Sequence, residues 1–184
     1  MTELASQGQL RGSLLRWALV LVPGVLLLGM LSARIANSGP GNAWFDALEK
    51  PGLYPSPMVF GIVWPLLYVL MGIALALVAA ARGARWRKEA VAIFVAQLLL
   101  NLVWSPLFFA AHQITAALAL LVVLDLAVLA TILLFWKVRP VAALLLVPYL
   151  AWILFATALN WQFRAVNPEA DGRESSHAAV RVEF

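Results

Sequence analysis

Four side chains with polar or aromatic groups share one face of an apolar segment in the middle of the chain. They are Gln97, Asn101, Trp104 and Phe108, whose spacing places them on one side of a helix. Amides and an indole can hold a largely apolar molecule through a few hydrogen bonds and broad contact. The alternative is that the two amides only hydrogen-bond neighbouring helices. Pro106 leaves the Leu102 carbonyl without its helical partner, which predicts a bend or a polar spot there.

A second face carries aromatic rings at regular spacing. Phe60, Trp64 and Tyr68 recur every fourth residue, so on a helix they form a stripe. Plain aliphatic side chains would suit lipid equally well. The stripe therefore predicts that something packs against these rings.

A third face, near the end of the chain, contains Tyr149, Trp152, Ala156 and Asn160. Ala156 is small where its neighbours are large, so either a helix or a ligand can approach the backbone there. Like Trp64 and Trp104, Trp152 lies deep in an apolar segment, where an indole N–H needs a partner. We expect these three indoles to serve function. The other indoles lie near segment ends and are typical of interfacial anchors: Trp17, Trp44, Trp86, Trp136 and Trp161.

Other chemistry has little support in the sequence. Asp125 is the only acidic residue deep in an apolar segment, where it either forms a structural hydrogen bond or serves a ligand or a proton. The chain has no cysteine and only two histidines, His112 and His177, which predicts no metal site. It also lacks a glycine-rich phosphate loop and a serine–histidine–aspartate grouping at one depth.

The composition places these faces in a membrane. Of the 184 residues, 64% are hydrophobic and 12% are charged, far fewer charged residues than soluble domains carry. Five apolar stretches approach or exceed the roughly 20 residues that cross a bilayer. They are residues 14–35, 57–81, 89–111, 114–136 and 140–163. The predicted fold class is therefore an all-α integral membrane protein, a five-transmembrane-helix bundle. The first stretch is longer than a signal-peptide core, and we expect it to be retained.

Turns and charges organise the bundle. Short connections between spans favour antiparallel neighbours, and the one long internal loop covers residues 36–56. Most basic residues fall on the side of the N-terminus: Arg11, Arg16, Arg82, Arg85, Arg87, Lys88, Lys137 and Arg139. The positive-inside rule then predicts a cytoplasmic N-terminal segment 1–13, with the loop and a polar C-terminal tail 169–184 on the opposite face. Because the net charge of +4 comes largely from span ends, it indicates the lipid bilayer as a partner and not nucleic acid.

Together these residues make positions 14–168 resemble the TspO/MBR family of tryptophan-rich sensory proteins and translocator proteins, the peripheral benzodiazepine receptors. The matching motifs occur in order on separate helices: Trp44-Phe45, Leu48, Lys50-Pro51, Pro55-Ser56-Pro57, Phe60, Trp64, Tyr68, Gln97, Asn101, Trp104-Ser105-Pro106, Phe108-Phe109, Pro148-Tyr149-Leu150-Ala151-Trp152, Phe155-Ala156-Thr157 and Leu159-Asn160. So many ordered matches make a specific signal.

The resemblance implies a bundle, often a homodimer, with one ligand pocket capped by the first loop. It implies no required cofactor, and as ligand a porphyrin (protoporphyrin IX or haem), a sterol such as cholesterol, or a benzodiazepine-type compound. By resemblance, Trp44, Pro51 and Tyr54 belong to the lid, above Phe60 and Trp64. Matching wall positions are Asn101 and Trp104 on the third span and Trp152 and Ala156 on the fifth. Phe108 and Tyr149, from the faces described above, complete the predicted site.

Three positions depart from the family pattern. Trp161 stands where many members have a tyrosine, and Arg164 stands one place earlier than their basic residue. The cholesterol-recognition pattern needs that tyrosine, so the sequence gives little support to high-affinity cholesterol binding. Phe45 also stands where many members have tyrosine.

The sequence therefore predicts a membrane receptor or sensor for porphyrins and other apolar ligands. One alternative is a transporter of tetrapyrroles or lipids. Another is an enzyme that degrades porphyrin in light, an activity reported for some members. The residues themselves assign no catalytic residue, and the resemblance implicates Trp64 and Trp152 if degradation occurs.

Overall fold

The apolar stretches fold as long helices, because a helix satisfies its backbone polar groups internally. The computed structural model describes the backbone of residues 7–173 and the side chains of residues 12–173. Its helices are α1 (Gln7–Ile35), α2 (Ala43–Ala47), α3 (Pro57–Ala80), α4 (Arg87–Ser105), α5 (Ile114–Val138) and α6 (Pro140–Val166), and a π-helical turn (Pro106–Ala110) extends α4. Five helical segments of 24 to 27 residues are long and apolar enough to cross a membrane. The prediction of an all-α, five-helix membrane protein is confirmed.

Two helices begin earlier than the sequence predicts. α1 starts at Gln7 and α4 at Arg87, whereas the apolar stretches begin at 14 and 89. Hydrophobicity marks the apolar part of a helix and not its polar end, which explains the difference. The predicted N-terminal segment and polar tail are covered only in part, since residues 1–6 and 174–184, including His177, lie outside the described residues.

The five long helices form a ring in the order α1, α3, α6, α5 and α4, and α4 returns to α1. Short connections do join antiparallel helices, but α3 packs more closely on α6 than on α4, its successor in the chain. Glycine brings α1 and α3 together: a Cβ on Gly72 would lie 2.6 Å from the Cα of Val22, and one on Gly29 would overlap the Tyr68 ring. Such close approach of backbones is typical of helix pairs in membranes.

The loop of residues 36–56, here called the lid, is held at both ends of its short helix α2. Asn42 caps the start: its Oδ1 accepts a hydrogen bond from the Phe45 N–H at 3.0 Å, and its Nδ2 donates to the Phe109 carbonyl at 3.0 Å. The Lys50 ammonium group donates to the carbonyls of Phe45 (2.5 Å) and Leu48 (2.8 Å) at the other end. The lid is therefore an ordered element.

Residues 167–173, here called the clasp, tie the end of α6 to the lid and to the start of α5. The Asn167 side chain accepts a hydrogen bond from the Glu49 N–H at 2.8 Å and donates one to the Glu49 carbonyl at 3.0 Å. The Asp171 carboxylate accepts from the N–H of Thr115 at 3.2 Å and from its hydroxyl, so it caps α5 from a distant part of the chain.

Candidate ligand-binding site

A cavity of about 410 Å³ lies among α1, α3, α4 and α6 beneath the lid. This volume falls in the range of pockets that bind small molecules. The surrounding side chains are aromatic, aliphatic, small or amide-bearing, and none of them is charged. The cavity therefore suits an apolar ligand with a few hydrogen-bonding groups.

Aromatic rings from α3, α6 and the lid form one continuous wall. The ring centroids of Trp64 and Trp152 lie 6.4 Å apart with the rings at 90°, and those of Phe60 and Trp152 lie 5.7 Å apart at 71°. Tyr54, from the lid, stacks on Phe60 at 5.6 Å. The predicted stripe on α3 thus meets the predicted face on α6, because the ring order of the bundle makes these helices neighbours.

The polar side chains around the cavity pair with one another across helices. Tyr68 donates its hydroxyl hydrogen to Asn101 Oδ1 at 3.0 Å, and Trp104 donates its indole N–H to Asn160 Oδ1 at 3.2 Å. The Nδ2 of Asn160 in turn donates to the Ile114 carbonyl at 3.0 Å. Apart from Ile114, these residues also line the cavity. The sequence left two alternatives for the α4 face, hydrogen bonding between helices or a cavity wall. Asn101 and Trp104 do both.

Two lining residues keep a polar atom without a partner. The Nε1 of Trp152 and the Oγ of Ser38 are buried and form no hydrogen bond with the described residues. Buried donors of this kind usually have a partner, because leaving one unmade is costly. A ligand that carries hydrogen-bond acceptors would satisfy both groups.

Pro106 shapes the wall that α4 contributes. It cannot donate to the carbonyl of Leu102, and the hydroxyl of Ser32 on α1 donates to that carbonyl instead at 2.6 Å. The polar spot predicted at Leu102 is confirmed. The π-helical turn that begins at Pro106 leaves Phe108 and Phe109 both buried, although they are adjacent in sequence.

Eight of the residues predicted for ligand binding line the cavity: Tyr54, Phe60, Trp64, Asn101, Trp104, Phe108, Trp152 and Ala156. Three others do not. Trp44, which belongs to the lid, is buried, and its ring stacks on that of His112 at 4.5 Å. Pro51 is buried in the lid and faces a separate shallow groove against the outside of α6. Tyr149 is fully buried and donates to Gln97 Oε1 at 3.0 Å, so it fills the space one helical turn below the cavity.

The sequence predicts no cavity residue on α1, yet Gly29, Met30 and Ala33 line it. Gly29 and Ala33 are small residues four positions apart, a spacing typical of close helix contacts, and this signal could have placed α1 at the site. Further lining residues outside the prediction include Ser38, Phe45, Phe109, Leu159, Asn160 and Phe163.

Asp125 does not line the cavity. Its Oδ2 accepts a hydrogen bond from the Thr157 hydroxyl on α6 at 2.9 Å. This contact joins α5 to α6 and agrees with the structural reading of Asp125. Among the described residues, no group of three or more histidine, aspartate and glutamate side chains is placed to hold a metal ion.

Two titratable groups of the lid respond to burial in opposite senses. Burial raises the pKa of Tyr54, and the nearby Asp46 carboxylate raises it further. Burial lowers the pKa of Lys50, an effect that Asp46 opposes. In both cases the low-dielectric surroundings disfavour the charged form of the side chain.

Comparison with known proteins identifies similar chains from several branches of life. A family model described as the TspO/MBR family matches residues 19–166. The chain is 38% identical over 133 residues to Protein CrtK of Rhodobacter capsulatus, covering 70% of this chain and 81% of that protein. It is 41% identical over 125 residues to the Translocator protein of Homo sapiens, covering 67% and 74%. It is 42% identical over 127 residues to Tryptophan-rich protein TspO of Archaeoglobus fulgidus, covering 68% and 81%.

Proposed function

This chain belongs to the TspO/MBR family, and on that premise we propose that it is a membrane receptor that binds a porphyrin in the cavity beneath the lid. The proposed ligand is a flat, largely apolar tetrapyrrole such as protoporphyrin IX or haem. Sterols and benzodiazepine-type compounds are expected to compete for the same space, because they too are apolar and carry few polar groups.

The observation that carries the proposal is the aromatic wall of Phe60, Trp64 and Trp152. Aromatic side chains pack well against another flat ring system, face to face with an offset or edge to face. The carboxylates of a porphyrin need hydrogen-bond donors, and the unpaired groups of Ser38 and Trp152 are available in the cavity. An apolar macrocycle with a polar edge therefore matches the cavity better than a charged, compact ligand does.

The cavity offers neither histidine nor cysteine to an iron atom. These residues are common axial ligands of haem iron. Methionine and tyrosine can also ligate haem iron, and Met30, Tyr54 and Tyr68 line the cavity. Haem and metal-free protoporphyrin IX are therefore both candidate ligands.

Titration with protoporphyrin IX, followed through quenching of tryptophan fluorescence, tests the proposal. We expect saturable quenching, with affinity about tenfold lower in Ala156→Leu because the added side chain fills cavity volume. The matched control is Ala158→Leu, an exposed position on the same helix, which should bind like the natural protein. Equal affinities for these two variants would contradict binding in the cavity.

The edge of the cavity favours transport as a second candidate function. Met30 and Gly61 line the cavity and are also exposed on the outside of the bundle, on α1 and α3. A ligand could therefore pass between the bilayer and the cavity. A Cβ on Gly61 would have no heavy atom within 4 Å, so Gly61→Phe is expected to narrow this opening and slow protein-dependent movement of protoporphyrin IX between vesicles. Movement that is the same with and without the protein would eliminate transport.

A further inference from the structure

Cations collect at the end of the bundle opposite the lid. The exposed ones among the described residues are Arg16, Arg82, Arg85, Lys88, Lys137 and Arg139. Glu89 is the only acidic side chain of the described region at that end of the helices. The one ion pair among the described residues joins Arg173 to Glu169 in the clasp, at the other end. This end therefore presents a concentrated positive charge that the described part of the chain does not neutralise.

Two of these cations converge on one indole. The guanidinium carbon of Arg85 lies 5.2 Å from the ring centroid of Trp86, and Nζ of Lys137 lies 5.1 Å from it. Arg85 belongs to the connection between α3 and α4, whereas Lys137 lies in the last turn of α5. Cation–π contacts of this length hold both charged groups beside the same ring. The fold thus brings together a pair of cations from two separate parts of the chain.

Arg87 differs from its basic neighbours, because its side chain is used within the protein. Its Nε donates to the Ala79 carbonyl at 2.9 Å and so closes the end of α3. Among the described residues, the head groups of Arg85 and Lys137 contact the Trp86 ring and form no hydrogen bond. They retain several N–H donors each.

The pair sits where a bilayer has its headgroups. Trp86 immediately precedes α4, and Trp136, which is 54% exposed, lies in the last turn of α5. Indoles in these places usually settle at the membrane–water interface. Phosphate groups of lipids lie at the same level, and basic pockets between transmembrane helices bind anionic headgroups.

We propose that Arg85, Trp86 and Lys137 bind the phosphate of an anionic phospholipid at this face of the membrane. Lys88 and Arg139 add positive charge to the same end of the bundle. A headgroup without a cation of its own leaves its phosphate charge available to the pair, whereas choline offsets it in phosphatidylcholine. The inference does not depend on the porphyrin proposal, because it concerns the opposite end of the bundle.

Native mass spectrometry of the detergent-solubilised protein with dioleoyl phosphatidylglycerol tests the site. We expect phosphatidylglycerol to be retained in preference to phosphatidylcholine. The double variant Arg85→Gln with Lys137→Gln should bind phosphatidylglycerol about 25-fold more weakly, at about fivefold for each cation near the headgroup. The matched control, Arg34→Gln with Arg164→Gln, removes the same charge from exposed positions on α1 and α6 near the lid and should retain the lipid.

Three outcomes would overturn the proposal. The first is equal loss of phosphatidylglycerol from the two double variants, which would make net charge the cause. The second is retention of phosphatidylcholine to the same extent as phosphatidylglycerol by the natural protein. The third is displacement of the lipid by inorganic phosphate at matched concentration, which would assign the site to free phosphate. Native spectra distinguish folded from unfolded molecules, so lipid binding can be read from the folded molecules alone. If the double variant folds poorly, Lys137→Gln alone provides a second measurement, and we expect it to lose an intermediate amount of phosphatidylglycerol.

Discussion

Pro106 frees the Leu102 carbonyl, and a hydroxyl on another helix takes over its hydrogen bond. The bond from Ser32 joins α1 to α4 beside the cavity, between positions 70 residues apart. Because lipid offers no replacement donor, the carbonyl would stay unpaired without it. Ser32 therefore stabilises the contact between α1 and α4 beside the cavity.

Replacing Ser32 with alanine should lower the free energy of unfolding, measured by SDS titration in mixed micelles, by about 0.6–1.7 kcal/mol. Ser56→Ala is the control, since Ser56 is exposed and its side chain caps no helix. In a Pro106→Ala background the backbone N–H returns to the Leu102 carbonyl, and the cost of losing Ser32 should shrink. If Ser32→Ala lowers the free energy of unfolding by the same amount in that background, Ser32 does not act through the Leu102 carbonyl.

Tyr54 gives the lid a measurable pH dependence. Burial and the Asp46 carboxylate raise its pKa in the folded protein, so the neutral phenol contributes stability that is present below its ordinary pKa near 10 and lost as pH rises through the folded value. Above pH 10, the natural protein should therefore lose thermal stability faster than Tyr54→Phe, which has no hydroxyl to ionise. Parallel melting-temperature profiles for the two proteins between pH 8 and about pH 11 would refute this role.

Among the structural elements, the lid depends on the clasp. Two hydrogen bonds between Asn167 and the backbone of Glu49 connect segments 118 residues apart. The Asn167 side chain also donates to the Phe163 carbonyl at the end of α6. The lid is thus anchored to the helix that carries Trp152, and opening the lid requires breaking these bonds.

Asn167→Ala should loosen the lid without changing the walls that α3 and α4 contribute to the cavity. We expect hydrogen exchange of the lid amides, including that of Glu49, to rise about tenfold, since about 1.4 kcal/mol of hydrogen bonding is removed. Protoporphyrin IX should also dissociate faster. Glu169→Gln is the control, because it removes only the exposed pair with Arg173. Unchanged lid exchange in Asn167→Ala would mean that other contacts hold the lid.

The elements differ in how well the sequence predicts them. The faces on α3, α4 and α6 are predictable because Trp64, Asn101 and Trp152 are unusual in lipid and recur at helical spacing. The wall from α1 escapes prediction because the spacing of Gly29 and Ala33 indicates a close contact with another helix but does not indicate a cavity beside it. The clasp escapes it because its hydrogen bonds join distant segments, and nothing local marks Asn167 as a partner of the lid.

At the scale of the whole molecule, the order of helices around the ring decides which predicted residues meet. Composition and turns predict five antiparallel spans, which the structure confirms. They do not predict that α6 lies between α3 and α5, because that order depends on packing of side chains and glycines across helices. The same order puts the aromatic cavity at one end of the described bundle and the paired cations at the other.

A crystal structure of the protein with bound protoporphyrin IX would show whether the cavity beneath the lid is the porphyrin site. We expect the macrocycle to lie against the wall that Trp64 and Trp152 form, with an acceptor atom within hydrogen-bond distance of Trp152 Nε1. Crystals of the Ala156→Leu variant grown at the same ligand concentration should show lower occupancy of the ligand in the cavity. A porphyrin found on the lipid-facing outside of the helices, with the cavity unchanged, would mean that the cavity is not the porphyrin site.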